Sequence, residues 1–347
     1  MRPIDELLAR SSLGTPNVRA ARKRAPRALV EQVLARANQL SARQISAPAP
    51  HSENHQNHSL VPRSGDPPMF AAPNLAPGQF RIAPIRVIGE GGLGIVDEVE
   101  VVASNMSHPS GTRLARKRLS QKWANDPGAR GRFEREIDML QTMRHPNIVS
   151  LAGVSLPGGE RWYVMPLFQR GSLRTWLQAG GRFATVQQVA GFIATVAGAL
   201  SYAHSMNFIH RDIKPENILL SDSGGPVVAD WGLGQFVHLH SKVLDLTRGG
   251  PMGTHYYCSL EQWASGRCEQ TGDVYSLGVV LAELAAGRAL PISPIGAGIQ
   301  DAVVGGSSAV VQNFNATIRR MTAMLPSARF QSIDEVARLL RRINLSP

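Results

Sequence analysis

The 347 residues predict an α+β chain of two lobes, strand-rich first and helix-rich second. Three observations carry this expectation. From about Phe80 to Met165, apolar residues alternate in short runs broken by a glycine cluster, the period-2 signature of strands. Beyond Gly171 the spacing lengthens to helical periods, most clearly over Val186 to Ser205 and Asp273 to Ala286. A strand-rich part followed by a helix-rich part argues for two packed lobes with a cleft between them. No internal repeat interrupts that order.

The first eighty residues stand apart. They hold ten of the 23 prolines, a basic cluster (Arg19, Arg22, Lys23, Arg24, Arg27) and a polar stretch from His51 to Ser59. Such a composition cannot bury enough apolar area to offset chain entropy, so residues 1–79 are expected to form a flexible arm. Within it Leu29, Val33, Ala37 and Leu40 recur at helical spacing, which predicts a short helix near 27–41. His51, His55 and His58 suggest metal binding at first sight, but no cysteine or carboxylate cluster completes a site, and a solvated linker is the preferred reading. Nucleic-acid contact by the basic cluster is a further alternative. It lacks interleaved aromatics, and a charge run is usually a solvated face.

Lys and Arg outnumber Asp and Glu by 37 to 26, a net charge of +11 that favours acidic partners, nucleotides included. Two cysteines, Cys258 and Cys268, exclude a disulfide scaffold and a four-cysteine zinc site; two reduced thiols in an intracellular protein are expected. No run supplies the roughly 18 apolar residues of a membrane span. No apolar stretch precedes a small-residue cleavage site at the start, and Asp5 and Glu6 come early. Cytoplasmic localisation without a membrane span is the resulting expectation.

The elements follow in order from Phe80. Two strands joined by a tight loop are predicted over Phe80 to Val102, and another around Leu114 to Leu119. A helix is predicted from about Arg130 to Met143, then short strands over Ile148 to Ser155 and Trp162 to Met165.

The loop Gly89-Glu90-Gly91-Gly92-Leu93-Gly94-Ile95-Val96 has the spacing G-x-G-x-x-G. A dinucleotide site needs a helix immediately after such glycines. Here Val96-Asp97-Glu98-Val99-Glu100-Val101-Val102 follows, and its β-branched residues favour a strand, so the glycines sit in a hairpin. Without side chains there, backbone N–H groups can lie close over phosphate oxygens. No G-x-x-x-x-G-K-[ST] loop occurs, which excludes the Walker type of site. Lys117, on the next predicted strand, can reach phosphates if something holds it, and Glu136 on the following helix is the natural counter-charge.

His210-Arg211-Asp212-Ile213-Lys214-Pro215-Glu216-Asn217 follows a long helix, and Asp230-Trp231-Gly232 comes after the apolar Val227-Val228-Ala229. With these residues the chain resembles the eukaryotic-type (Hanks-type) serine/threonine protein kinases, from about Phe80 to Ile343. The resemblance implies a bilobal protein-kinase fold, with a small antiparallel-sheet N-lobe carrying one helix (80–165), a hinge (166–168) and a mainly helical C-lobe (169–343). It implies ATP and Mg²⁺ (or Mn²⁺) as partners, together with a protein substrate offering a serine or threonine hydroxyl.

By the same resemblance, Asp212 accepts the hydroxyl proton and Lys214 neutralises the moving phosphoryl group. Asn217 and Asp230 supply oxygen ligands for the metal. Lys117 and Glu136 form a pair that clamps the nucleotide. Gly89, Gly91 and Gly94 cover the phosphates, Val96 and Ala115 sandwich the base, Met165 stands behind it, and Leu167 offers backbone hydrogen bonds. Serine/threonine selectivity rests on Lys214. Glu261 is expected to pair with Arg329, and Asp273 to brace the catalytic loop. Ser259-Leu260-Glu261 replaces the usual Ala-Pro-Glu, Trp231 the commoner phenylalanine, and Leu93 a frequent aromatic. Arg211 suggests a pocket for a phosphorylated activation segment, with Ser241 or Thr247 as autophosphorylation sites and Thr254 nearer the substrate. Two rivals are a pseudokinase scaffold, disfavoured by the complete set of catalytic groups, and a nucleic-acid-binding arm with an appended kinase.

Overall fold

The computed structural model describes residues 81–91, 94–103, 108–155, 160–231, 257–265, 268–288, 299 and 303–346. Residues 1–79, expected to form an arm with a short helix near 27–41, lie outside the described residues. So do Gly92, Leu93, Gly232, Ser241, Thr247 and Thr254.

The first lobe is a five-stranded antiparallel sheet in the order β1-β2-β3-β5-β4. Its strands are β1 (Arg81–Glu90), β2 (Gly94–Ala103), β3 (Arg113–Leu119), β4 (Gly153–Val154) and β5 (Trp162–Pro166), with helix α1 (Pro127–Thr142) inserted after β3. The glycine loop therefore joins two antiparallel strands, with Gly89 opposite Val96 and Glu90 opposite Ile95. β1 is an edge strand. Pro84, which cannot donate to a ladder, sits next to a register shift between Pro84 and Arg86. Helix α1 begins earlier than its apolar periodicity indicates, because Asp126 caps it by accepting from Ala129 N at 2.5 Å and Pro127 occupies the first turn.

Register decides which side chains share a face. Val96 lies opposite Lys117, which lies opposite Tyr163; Ala115 lies opposite Met165. Since side chains alternate along each strand, these five residues face one way. The other face carries a small cluster of Val99, Val101, Leu114, Ala152 and Val164.

The expected strand over Ile148 to Ser155 is a correction. Only Gly153–Val154 is a strand, while Ile148 makes an isolated parallel bridge to Val228 in the second lobe. The apolar run was real, but its partners are tertiary: Val149 N donates to Val228 O at 2.9 Å and Ala152 N to Val164 O at 2.7 Å.

The second lobe comprises α2 (Leu173–Gln178), α3 (Val186–Ser205), the hairpin β6 (Ile218–Leu220) and β7 (Pro226–Val228), α4 (Leu260–Ser265), α5 (Gln270–Ala286), α6 (Ala309–Met321) and α7 (Ile333–Asn344). Helix α3 has the bounds its periodicity predicts, because the Thr185 hydroxyl accepts from Gln188 N at 3.2 Å. The expectation that no run could serve as a membrane span is corrected here: the length and composition of α3 alone would suffice, with a mean hydropathy of 1.2 over an 18-residue window. Half of that window is buried within the protein. Helix α3 packs against α5 and α7, and the fully buried Ile193 and Leu200 each contribute about 1.5–3 kcal/mol by leaving water. Helix α5 is buried from Thr271 to Leu284 and forms the centre of the lobe.

Candidate active site

Lys117 and Asp230 stand 113 residues apart in sequence, yet the ammonium Nζ meets Asp230 Oδ1 at 2.6 Å. The same Nζ donates to Glu136 Oε1 at 2.8 Å and Oε2 at 3.0 Å. Glu136 is reached because Ala129, Phe133, Ile137 and Leu140 turn one face of α1 into the core, which brings its neighbouring position inward as well. Glu136 is fully buried, whereas the Asp230 side chain is 38% exposed.

These charges shift one another. Burial alone would push the Lys117 ammonium down, but Asp230 and Glu136 hold it well above its ordinary range. Burial would raise the Asp230 carboxyl; Lys117 and Lys214 instead hold it below its ordinary value, so it stays ionised. Glu136 is raised, chiefly by burial and also by Asp230, against the pull of Lys117 and of the Tyr163 hydroxyl.

The catalytic loop lies across from this cluster. Lys214 Nζ contacts Asp212 Oδ2 at 2.8 Å, and Asn217 Nδ2 donates to the same oxygen at 2.9 Å and to Asp212 O at 2.7 Å. A carboxylate and a carbonyl only accept, so the amide nitrogen of Asn217 must face them and its carbonyl oxygen points elsewhere. Asp212 Oδ1 has no donor among the described residues. Burial would lower Lys214, but Asp212 raises it above its usual range.

Backbone strain marks this loop. Arg211 has φ 70° and Asp230 φ 62°, a region that side-chain-bearing residues rarely adopt. Asp273 fixes the first of these turns: its Oδ1 accepts from Arg211 N at 2.8 Å, and its Oδ2 from His210 N at 2.9 Å and His204 Nε2 at 2.8 Å. Gln262 Nε2 adds a bond to Arg211 O at 2.6 Å. His210 bridges the two halves of the site. Its Nε2 lies 2.8 Å from Ala229 O, while Asp212 N donates to its Nδ1 at 3.2 Å. Only the neutral Nε2–H tautomer satisfies both, in keeping with burial that pushes the imidazole down. Trp231 is fully buried with its ring 4.7 Å from that of His210.

Asp273 sets a pH expectation. Burial would raise its carboxyl, but the hydrogen bonds it accepts bring it below 3.8. A carboxylate depressed on folding contributes stability in full above its unfolded pKa and loses it as pH falls through the folded value. Asp273→Asn is expected to cost about 3 kcal/mol at pH 7 in urea unfolding. That gap should hold down to about pH 5 and narrow below 3.8, the ordinary aspartate value.

The residues named from sequence fall in consistent places. Val96, Ala115, Lys117 and Met165 share one sheet face, Gly89 pairs with Val96 beside them, and Leu167 packs on the main core just beyond β5. Gly91 N donates to Gly94 O at 2.9 Å. A Cβ on Gly94 would stand 3.1 Å from Arg118 O and 3.4 Å from Lys117 Cε, so a larger residue would crowd the β3 backbone by a few tenths of an ångström. Glu261 and Arg329 pair through two bonds of 2.6 and 3.0 Å.

Sequence reasoning missed three participants. The Tyr163 hydroxyl donates to Glu136 Oε1 at 3.1 Å, His204 bonds Asp273, and Arg174 links Glu216 of the catalytic loop (2.8 Å) to Glu283 of α5 (2.6 Å). An aromatic on a strand and a histidine on a helix carry no local mark of such roles. Glu216 and Glu283 could have signalled only a pair of carboxylates in search of a cation.

The donor set suits a metal–nucleotide complex. Asp230 is an ionised carboxylate partly open to the cleft, Asn217 turns its carbonyl oxygen away from Asp212, and two ammonium groups flank them. These are hard oxygen ligands with counter-charge for phosphate.

A sheet lobe with a single helix, set against a helical lobe across such a cluster, is the bilobal fold of protein kinases. The family model described as protein kinase domain matches residues 82–326, more than half of the chain, and the chain belongs to that family. It is similar to the leucine-rich repeat receptor protein kinase MSL1 of Oryza sativa subsp. japonica, at 33% identity over 208 residues, 59% of this chain and 14% of that protein. It is also similar to the serine/threonine-protein kinase PrkC of Bacillus subtilis (strain 168), at 31% over 211 residues, 61% of this chain and 31% of that protein. The probable serine/threonine-protein kinase PknB of Lactococcus lactis subsp. lactis (strain IL1403) is 32% identical over 212 residues, 60% of this chain and 32% of that protein. The chain thus spans about a third or less of the length of these relatives.

Proposed function

We propose that this chain transfers the γ-phosphoryl group of ATP to serine or threonine hydroxyls of proteins, its own included. The observation that carries the reading is the meeting of Lys117, Glu136 and Asp230 at hydrogen-bond distance beside a loop that presents Asp212. Asp230 and Asn217 would hold Mg²⁺ (or Mn²⁺), which when bound supplies charge neutralisation to the phosphates. Lys117 would hold the phosphates from β3, and the glycine loop would lie over them. Lys214 and Asn217 both engage Oδ2 of Asp212, so Oδ1 is the oxygen offered to the acceptor hydroxyl. Asp212 would take that proton as the oxygen attacks.

Lys214 supports a serine/threonine acceptor, as do the names of the two bacterial relatives. The expected result is Mg²⁺-dependent incorporation of labelled γ-phosphate into the chain and into dephosphorylated casein, recovered as phosphoserine and phosphothreonine. Phosphotyrosine alone would remove the specificity; no incorporation with either acceptor would favour the pseudokinase reading.

A further inference from the structure

Helix α1 carries the carboxylate that Lys117 needs, and the described residues give Glu136 two hydrogen-bond donors. One is Lys117, whose ammonium is divided among Glu136 Oε1, Glu136 Oε2 and Asp230 Oδ1. The other is Tyr163, whose hydroxyl lies 3.1 Å from Glu136 Oε1. Tyr163 belongs to β5, directly across the sheet from Lys117, and its ring is 1% exposed and packs 5.7 Å from that of Phe133 on α1.

The two donors differ in what competes for them. A triphosphate in the cleft offers Lys117 further oxygens, and its hold on Glu136 is then shared. Tyr163 is walled in between sheet and helix, and its phenol is held protonated, since burial and the neighbouring Glu136 push it well above 10. No anion can draw it away. We infer that Tyr163 is a positioning residue: its hydroxyl holds Glu136, and with it helix α1, in the inward position before nucleotide arrives. The charged groups facing Glu136 are Lys117 from β3 and Asp230 from the segment after β7, and neither duplicates a neutral, captive donor. Arg161 on the approach to β5 binds Glu134 at 2.5 Å through each of two nitrogens, which tethers the helix but does not touch the functional carboxylate.

The inference rests on the proposed phosphoryl transfer for its kinetic arm, and its other arm does not depend on transfer. Tyr163→Phe keeps the ring and removes only the hydroxyl. In the nucleotide-free full chain, hydrogen exchange of the α1 amides around Phe133 to Leu140 is expected to quicken by on the order of tenfold, with the core of α3 unchanged. With casein as acceptor, KM for MgATP should rise by on the order of tenfold while kcat stays within about twofold, because saturating nucleotide recruits Lys117 and Glu136 back together. In a Glu136→Ala background the same substitution should add less than about twofold to either measurement.

Unchanged α1 exchange in Tyr163→Phe overturns the inference, as does a fall in kcat at constant KM, or an equal effect in the Glu136→Ala background. Should the wild-type protein transfer no phosphate at all, the functional reading fails and the exchange measurement alone decides the role of Tyr163.

Discussion

Replacing Asp212 by alanine is expected to lower phosphate incorporation by on the order of 10²–10⁴, the usual cost of losing a general base, the role proposed for it. The loss should fall on kcat rather than on KM for ATP, because the side chain of Asp212 is engaged with Lys214 and Asn217 and not with the cluster around Lys117. The fold should survive. Asn217 keeps its bond to the backbone carbonyl of residue 212, and Asp273 still pins the two preceding amides. Melting temperatures of the variant and the parent are therefore expected to agree within a few degrees. Equal incorporation by both proteins would remove Asp212 from the reaction and the proposed mechanism with it.

The second large effect concerns stability. Arg329 is completely buried, and each of its five N–H groups has an acceptor: Ala323 O, Thr271 O, Met324 O and the two oxygens of Glu261. Its guanidinium also lies 4.9 Å from the ring of Tyr275. Arg329→Met leaves Glu261 without this partner and strands three carbonyls, with a cost of about 3–5 kcal/mol. For a domain of this size that lowers Tm by on the order of 10 °C, measurable by calorimetry. Arg329→Lys should recover only part of it, because an ammonium has three donors and no planar fork to match the carboxylate. A loss below 1 kcal/mol in Arg329→Met would show that the pair contributes little beyond its desolvation cost. Since Glu261 lies in the first turn of α4, whose next residue, Gln262, bonds Arg211 O, this buried pair also steadies the far side of the catalytic loop.

Much of the candidate site was legible from local pattern. Gly89, Gly91 and Gly94 with a β-branched run behind them specify a hairpin, because β-branched side chains fit a pleated strand and the glycines relieve the turn. The order of Lys117, Glu136, Asp212, Lys214, Asn217 and Asp230 along the chain named the groups that the fold brings together. The extent of helix α3 was legible from its helical apolar spacing, and the structure adds the Thr185 cap that fixes its start.

Other features were beyond a reading of neighbours. Ile148 to Ser155 looked like a strand, yet most of its backbone is paired with residues 7 to 80 positions away. Tyr163 falls inside the expected strand Trp162 to Met165 with nothing to single it out, and only the β3–β5 register with the inward face of α1 reveals its hydroxyl on Glu136.

Taken alone, the sequence determined the class of elements, their order and the candidate site residues, because propensity, capping and spacing act over a few residues. Tertiary structure alone decided the positive φ angles of Arg211 and Asp230, the neutral tautomer of His210 and the captive hydroxyl of Tyr163. Each of these depends on a partner distant in the chain, and a strained or buried polar group persists only where such partners hold it.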